Sequence, residues 1–419
     1  MSYNADGSRV IDARDKSFPA SAIGLTTEEF LGDSPGIDAF STPLVLIDAT
    51  ALQNNLTVMA DWVAAHGFEL MPHGKTTMAP QIWRRQLALG STGITVATPW
   101  QARVALDAGI PVVMLANECV DHGGLRWVAS HLDAHPDQTF YCWADSVAAV
   151  AAMEAILDAT PPQAPVRVFT ELGAPGGRTG ARTSDEAKAI AARITASPHM
   201  TLAGVAGYEG CLGHNRSPES LDRIRAYLDA MRALFQDLRS QVVGEAPILT
   251  VGGSAFFDVV ADQLATLAGG AARVVLRSGA YITHDSGFYE SISPLGGVLH
   301  PDGPHLKAAT WGIARVLSNP EPGLALLDGG KRDFPYDEGL PVAVGWSTAL
   351  GAPVEPMKGN VTALNDQHSF LHVDGDVPPI GAVVHLGLSH PCTTFDKWRL
   401  MPVIDQTSAL VVDIVETFF

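Results

Sequence analysis

The 419-residue chain is 47% hydrophobic and 17% charged, a balance that excludes disorder and provides for a large core divided between two domains. With 27 Lys and Arg against 45 Asp and Glu, the net charge of −18 argues against nucleic acid or an anionic membrane surface as partner, since both call for basic surface. Cys119, Cys142, Cys211 and Cys392 show no CxxC spacing, residues 1–19 contain no apolar h-region, and no run approaches the roughly 20 apolar residues of a membrane span; we therefore expect a cytoplasmic enzyme acting on a small molecule.

Residues 1–40 are rich in Asp, Ser, Gly and Pro, with one helical stretch at 26–31, and read as an arm packing on a β domain. From Thr42 onward, strand-like apolar runs alternate with Ala- and Leu-rich stretches of helical period, the pattern of a parallel βα architecture. Eight strands are predicted, at 44–48, 68–71, 94–97, 112–116, 139–143, 166–171, 202–208 and 248–252. Helices are predicted between them at 52–65, 100–108, 146–159, 185–196 and 220–240. Eight units predict a TIM barrel over 41–285. A doubly wound sheet would show a Gly-rich loop after its first strand, where this chain has Ala49-Thr50-Ala51-Leu52. Over 286–419, Gly, Pro and Val rise and short strands are predicted at 307–316, 324–328, 361–364 and 382–386, a β-rich second domain. The alternating stretch 409–419 is placed to close a sheet with the arm.

The run Phe68-Glu69-Leu70-Met71-Pro72-His73-Gly74-Lys75 reads as a buried strand delivering an amine, which serves as a Schiff-base nucleophile if desolvation or a nearby cation lowers its pKa. A solvated turn lysine is the alternative. In a barrel, phosphate sits at the loops after strands seven and eight. There Gly252, Gly253 and Ser254 provide close backbone approach, a helix cap and free N–H groups for an anion. Near the C-terminus, His390-Pro391-Cys392, read as extended strand, puts imidazole and thiol on one side for a single metal ion, leaving positions open for substrate. A buried cysteine beside an incidental histidine is the alternative.

Pro72-His73-Gly74-Lys75-Thr76 resembles the Pro-His-x-Lys-Thr motif of the D-serine dehydratase and D-threonine aldolase family, pyridoxal-phosphate enzymes of the alanine-racemase-like fold. The resemblance implies that Lys75 carries the cofactor, with His73 beside it. Arg277-Ser278-Gly279-Ala280-Tyr281 is similar to the family's Arg-Pro-Gly-x-Tyr, with Ser278 in place of proline, which implies that Gly279 and Tyr281 join the glycines in holding the phosphate. Arg178-Thr179-Gly180 resembles the family's Arg-Thr-Gly, where an arginine lies near the cofactor ring. Its lead, Glu171-Leu172-Gly173-Ala174-Pro175, is longer than the family's acidic-Val-Gly. Tyr208, ending the strand before, is placed for a phenol to bond the cofactor, with barrel packing as its alternative. Gln101 replaces a glutamate and His368 sits in a turn similar to Glu-Glu-His, near the expected metal; His214 is unassigned. His390-x-Cys392 resembles the zinc pair of the family's dehydratases, whereas its aldolases show His-x-Asp, a harder pair. The stretch 334–337 and the arm have no counterpart.

The resemblance implies a pyridoxal-phosphate- and zinc-dependent lyase deaminating a D-β-hydroxy amino acid, D-serine first, with D-threonine or D-3-hydroxyaspartate as options, to a 2-oxo acid and ammonia. Lys75, Arg178 and Tyr208 are the expected catalytic residues, and a homodimer is expected. Retro-aldol cleavage, racemisation and a non-catalytic cofactor carrier stay open as alternatives. Racemisation would need a second acid/base opposite Lys75, and the long β-rich region argues against the carrier.

Overall fold

Eight of the strands run parallel in one sheet, in the computed structural model, which describes residues 8–270 and 272–419. Residues 1–7 of the expected arm lie outside the described residues. In chain order the strands are β1 (Leu44–Asp48), β2 (Glu69–Leu70), β3 (Ile94–Val96), β4 (Val112–Glu118), β5 (Thr139–Ala144), β6 (Val166–Leu172), β7 (Met200–Gly207), β8 (Ile248–Thr250) and β9 (Arg273–Leu276). After these come β10 (Thr310–Glu321), β11 (Leu324–Leu327), β12 (Val342–Ser347), β13 (Glu355–Leu364), β14 (Ser369–Val373), β15 (Val383–Gly387), β16 (Leu400–Asp405) and β17 (Leu410–Glu416).

The parallel sheet has the order β2-β9-β8-β7-β6-β5-β4-β3. Its ends meet through a His73–Thr95 bridge and the bonds Thr92 N to Leu70 O (2.8 Å) and Thr95 N to Pro72 O (2.9 Å), so the expected barrel closes. Inside it, Met71, Met114, Tyr141, Phe169, Ile248 and Val275 pack as their own apolar cluster, and the interior is filled rather than open. Helices Ala49–Ala65, Pro99–Asp107, Val147–Asp158, Ser184–Thr195 and Pro218–Leu238 lie near their predicted ranges. Their starts are fixed locally: Asp48, Thr98, Ser146, Thr183 and Ser217 each accept a backbone N–H with the side chain, and Pro99 and Pro218 occupy first-turn positions where no N–H is needed.

One strand assignment is corrected. The 44–48 run, expected as the first barrel strand, instead pairs antiparallel with β10 and parallel with β16 in the other sheet. The eighth barrel strand is β9, which the sequence reading passed over. A short run buried on both faces has the same apolar signature in either sheet, and Arg273-Val274-Val275-Leu276 is only four residues long. The shift places Gly252 after the seventh barrel strand and Arg277 after the eighth, the two loops that carry phosphate in this architecture.

The second sheet has the order β11-β14-β13-β12-β15-β10-β1-β16-β17, with β11 also paired to β10. Its first six strands therefore form a closed antiparallel barrel, the expected β-rich domain, and β1, β16 and β17 extend from β10. The arm follows the outer edge through Ile37 N to Ala409 O (3.0 Å) and Val411 N to Pro35 O (2.9 Å). Buried Arg9 links Asp15 (2.7 Å) to Glu416 (2.8 Å). The two sheets are joined where Ser286 N donates to Leu388 O (2.8 Å) and Asp285 Oδ2 accepts from His390 N (3.0 Å), which seats the 388–392 segment over the barrel mouth.

Candidate active site

A cavity of about 520 Å³ opens at the C-terminal ends of the barrel strands, roofed by the segment carrying His390 and Cys392. It is lined by Lys75, His73, Arg178, Tyr208, Gly252, Gly253, Ser254, Gly279, His390 and Cys392, so residues spread over more than 300 positions of sequence face one space.

Lys75 sits in the 3-10 turn Gly74–Thr76 that follows β2. A Cβ on Gly74 would lie 2.6 Å from Ile94 Cγ2 and 2.8 Å from Trp83 Nε1, so the turn is held against the barrel wall in a way only glycine permits. Burial lowers the Lys75 pKa, Arg178 and Arg277 lower it further, and Cys392 acts against them. The result is an amine more readily neutral than a surface lysine. The imidazole of His73 is held well below its usual pKa, by burial first and then by Lys75, and its Nδ1 is buried without a partner.

His390 and Cys392 meet, but not along an extended strand. His390 has φ +58° and Cys392 opens the short helix Cys392–Phe395, so a turn, not a strand, brings both side chains to the cavity. Burial would raise the Cys392 pKa; His390, Thr76 and Lys75 outweigh it and lower it. Thr76 Oγ1 lies 3.4 Å from Cys392 Sγ. Asp337 Oδ2 is 2.5 Å from His390 Nδ1, which leaves the other ring nitrogen for a ligand. Among the described residues no three His, Cys, Asp or Glu side chains group to hold a metal ion. His390 and Cys392 offer two donors, and an N and S pair suits zinc.

At the other end, Gly252 and Gly253 do not present free N–H groups. Gly252 N donates to Glu209 Oε2 (3.0 Å) and Gly253 N to Glu209 Oε1 (2.7 Å). Ser278 Oγ donates to Gly253 O (2.8 Å) and Ala280 N to Ser254 Oγ (3.2 Å), so the two loops are knitted together. Arg277, buried, donates to Thr250 Oγ1 and Gly207 O (2.6 Å each) and lies 4.8 Å from the Trp143 ring; burial lowers its pKa to about 10.

Arg178 stacks over Tyr208 at 4.7 Å, and burial pushes the Tyr208 phenol up to about 12, keeping it protonated. The loop at Arg178 is pinned by Arg182, which donates to the carbonyls of Thr179 (3.0 Å), Gly180 (2.6 Å) and Arg178 (2.5 Å). Glu171 lines the cavity; burial and neighbouring Glu118 raise its pKa to about 8.

Three expectations fall elsewhere. Tyr281 does not line the cavity: it is buried, with Gln86 Nε2 donating to its hydroxyl (3.0 Å). His368 is exposed in the β13–β14 turn and does not line the cavity, and Gln101 Oε1 accepts from Ala97 N (2.8 Å) to tie down the end of β3. His214 does line the cavity. The sequence reading passed over Glu209, Asp337 and the Glu118–Glu171 pair. Glu209 directly follows Tyr208, which was a usable signal; Asp337 lay in the stretch without a counterpart.

Residues 47–266, more than half of the chain, match the family described as alanine racemase, N-terminal domain. The chain belongs to that family. Residues 309–404 match a second family, described as “Putative serine dehydratase domain”, which covers the β-rich region and both His390 and Cys392. Among characterised proteins, this family member is 26% identical to a D-threonine aldolase of Arthrobacter sp over 85% of its own length and 86% of the relative's. It is 25% identical to a D-threo-3-hydroxyaspartate dehydratase of Delftia sp. (strain HT23) over 84% and 91%. The D-threonine aldolase structure from Filomicrobium marinum superposes with a TM-score of 0.75 at 23% identity, covering 91% of this chain and 96% of the other.

The cavity of this alanine-racemase-like barrel fits pyridoxal phosphate on its own features. The lowered lysine is inside it, and the Nδ1 of His73 and the Nε1 of Trp143 are buried without partners. A Cβ on Gly279 would lie 2.7 Å from His73 Cβ, and one on Gly253 would lie 2.8 Å from Tyr208 Cε2.

Proposed function

We propose that this protein is a pyridoxal-phosphate- and zinc-dependent lyase that deaminates a D-β-hydroxy amino acid, D-serine first, to a 2-oxo acid and ammonia. One observation carries the reading. The amine of Lys75 and the thiol–imidazole pair of Cys392 and His390 open into the same cavity, with Thr76, next to Lys75, touching Cys392 Sγ at 3.4 Å.

Lys75, His73, Arg178, Tyr208, Ser254 and Gly279 hold the cofactor, and His390 and Cys392 hold the metal. When bound, the cofactor supplies an electron sink for charge developing at Cα, and the metal supplies a Lewis acid for a poor leaving group. Lys75 Nζ, its pKa lowered, takes the proton from Cα. Asp337 fixes the ring of His390, and the stacked Arg178–Tyr208 pair fixes the cavity wall. Loss of the Cα proton and the β-hydroxyl as water leaves an enamine that hydrolyses to the 2-oxo acid and ammonia.

The resemblance to a D-threonine aldolase supports a second reading, in which the Cα–Cβ bond breaks and glycine and an aldehyde form. Cys392 favours elimination, because a thiolate–imidazole pair selects a softer metal than a His-x-Asp pair. Incubation with D-serine, L-serine and D-threonine separates the two: 2-oxo acid with ammonia from the D-isomers is the expected result, and stoichiometric glycine would assign the aldolase reaction. The same reading places the enzyme in the cytoplasm as a homodimer; all four cysteines are free thiols, in keeping with a reducing compartment.

A further inference from the structure

Glu209 is fully buried, directly after Tyr208 at the start of the 3-10 turn Glu209–Cys211, and does not line the cavity. Its two carboxylate oxygens take the two consecutive N–H groups of the glycine loop, Gly252 at 3.0 Å and Gly253 at 2.7 Å. From the opposite side, Ser278 Oγ donates to the carbonyl of Gly253 at 2.8 Å. The Gly253 residue is therefore held at both ends, and Gly252, at φ +99°, has a backbone turn that glycine alone adopts easily. The cost is a negative charge buried beside an anion site. That arrangement is offset by Arg277, on which Glu209 is the first of the negative groups to act.

Resting on the reading that this cavity takes pyridoxal phosphate, we propose that Glu209 is a positioning residue for phosphate recognition: it anchors the glycine loop from beneath, so that the backbone from Ser254 onward and the 279–280 segment face the phosphate monoester in a preset shape. Glu209 makes no contact with the ligand. Ser278, whose Oγ donates to Gly253 O, performs the matching task from the neighbouring loop. Two N–H groups cannot serve Glu209 and a phosphate together, so Gly252 and Gly253 shape the cradle and leave the donation to their neighbours.

The test compares pyridoxal phosphate with pyridoxal, which lacks the phosphate, by titrating the cofactor-free protein and following cofactor absorbance. Glu209→Gln keeps the side-chain size but replaces a two-oxygen acceptor by a one-oxygen acceptor. We expect its affinity for pyridoxal phosphate to fall on the order of tenfold, the scale of one charge-assisted hydrogen bond, with pyridoxal affinity nearly unchanged. Ser278→Ala, which leaves Glu209 in place, should move the same ratio in the same direction by a smaller factor, and it carries the test if the first variant does not fold. An unchanged ratio in both variants, or tighter pyridoxal phosphate binding in Glu209→Gln, overturns the proposal. Failure of the unmodified protein to bind either compound overturns the cofactor reading itself, a separate result from an unchanged ratio.

Discussion

The carboxylate of Asp337 lies 2.5 Å from Nδ1 of His390, and its other oxygen accepts from Thr393 Oγ1 at 2.6 Å. A carboxylate on the far nitrogen of a ligating imidazole fixes the ring and its tautomer and raises its basicity. Asp337→Ala is expected to lower zinc affinity about 10- to 100-fold, the usual effect of losing such a partner. Competition against a chromophoric chelator measures it, and equal affinity in the variant would show that the contact orients nothing.

Lys75→Ala should give a colourless protein with no detectable 2-oxo acid formation. In the unmodified protein, borohydride should fix the cofactor covalently, and peptide mapping should find it on Lys75. A variant that keeps the full absorbance and turnover would falsify the cofactor assignment.

Chelation should abolish 2-oxo acid formation while leaving the cofactor absorbance largely intact, because His390 and Cys392 come from the segment after β15 and the glycine loop comes from the barrel. Cys392→Asp should weaken zinc binding and reduce turnover more than it reduces cofactor binding. Turnover that survives exhaustive chelation, with no metal found by elemental analysis, removes the Lewis acid from the reaction.

Stability of the cofactor-free protein should depend on pH through Glu171. Its folded-state pKa is raised to about 8 by burial and by Glu118, against an unfolded value of about 4.3. Between those values the folded chain holds a proton that the unfolded chain has lost, so stability is fully present below the lower value and falls as pH rises toward the upper one. Glu171→Gln should flatten that slope. Melting temperatures recorded across the window check it, and equal slopes in both proteins would show that Glu171 holds no extra proton in the folded chain.

Much of the site is legible in the sequence because its parts are short and local. Lys75 needs a strand end and a glycine turn, and both are contiguous with it. His390 and Cys392 are two residues apart. The barrel is legible because helix caps such as Asp48, Thr98 and Thr183 act within three residues of their partners.

The sequence by itself determined the alternation of strands and helices, the lysine at a strand mouth, the glycine loop and the thiol–imidazole pair, since each depends on chemistry within a few residues. Tertiary structure decided the rest. β1 joins the second sheet because pairing partners at 310–313 and 403–404 accept it, and nothing within 44–48 distinguishes them from barrel neighbours. Tyr281 turns away from the cavity, where Gln86, 195 positions earlier, donates to its hydroxyl oxygen. The N–H groups of Gly252 and Gly253 are claimed by Glu209, more than 40 positions away, and the imidazole of His390 is oriented by Asp337, 53 positions away. A buried polar group is satisfied wherever the fold supplies a partner, and for these groups the partner lies tens of positions or more away in the chain.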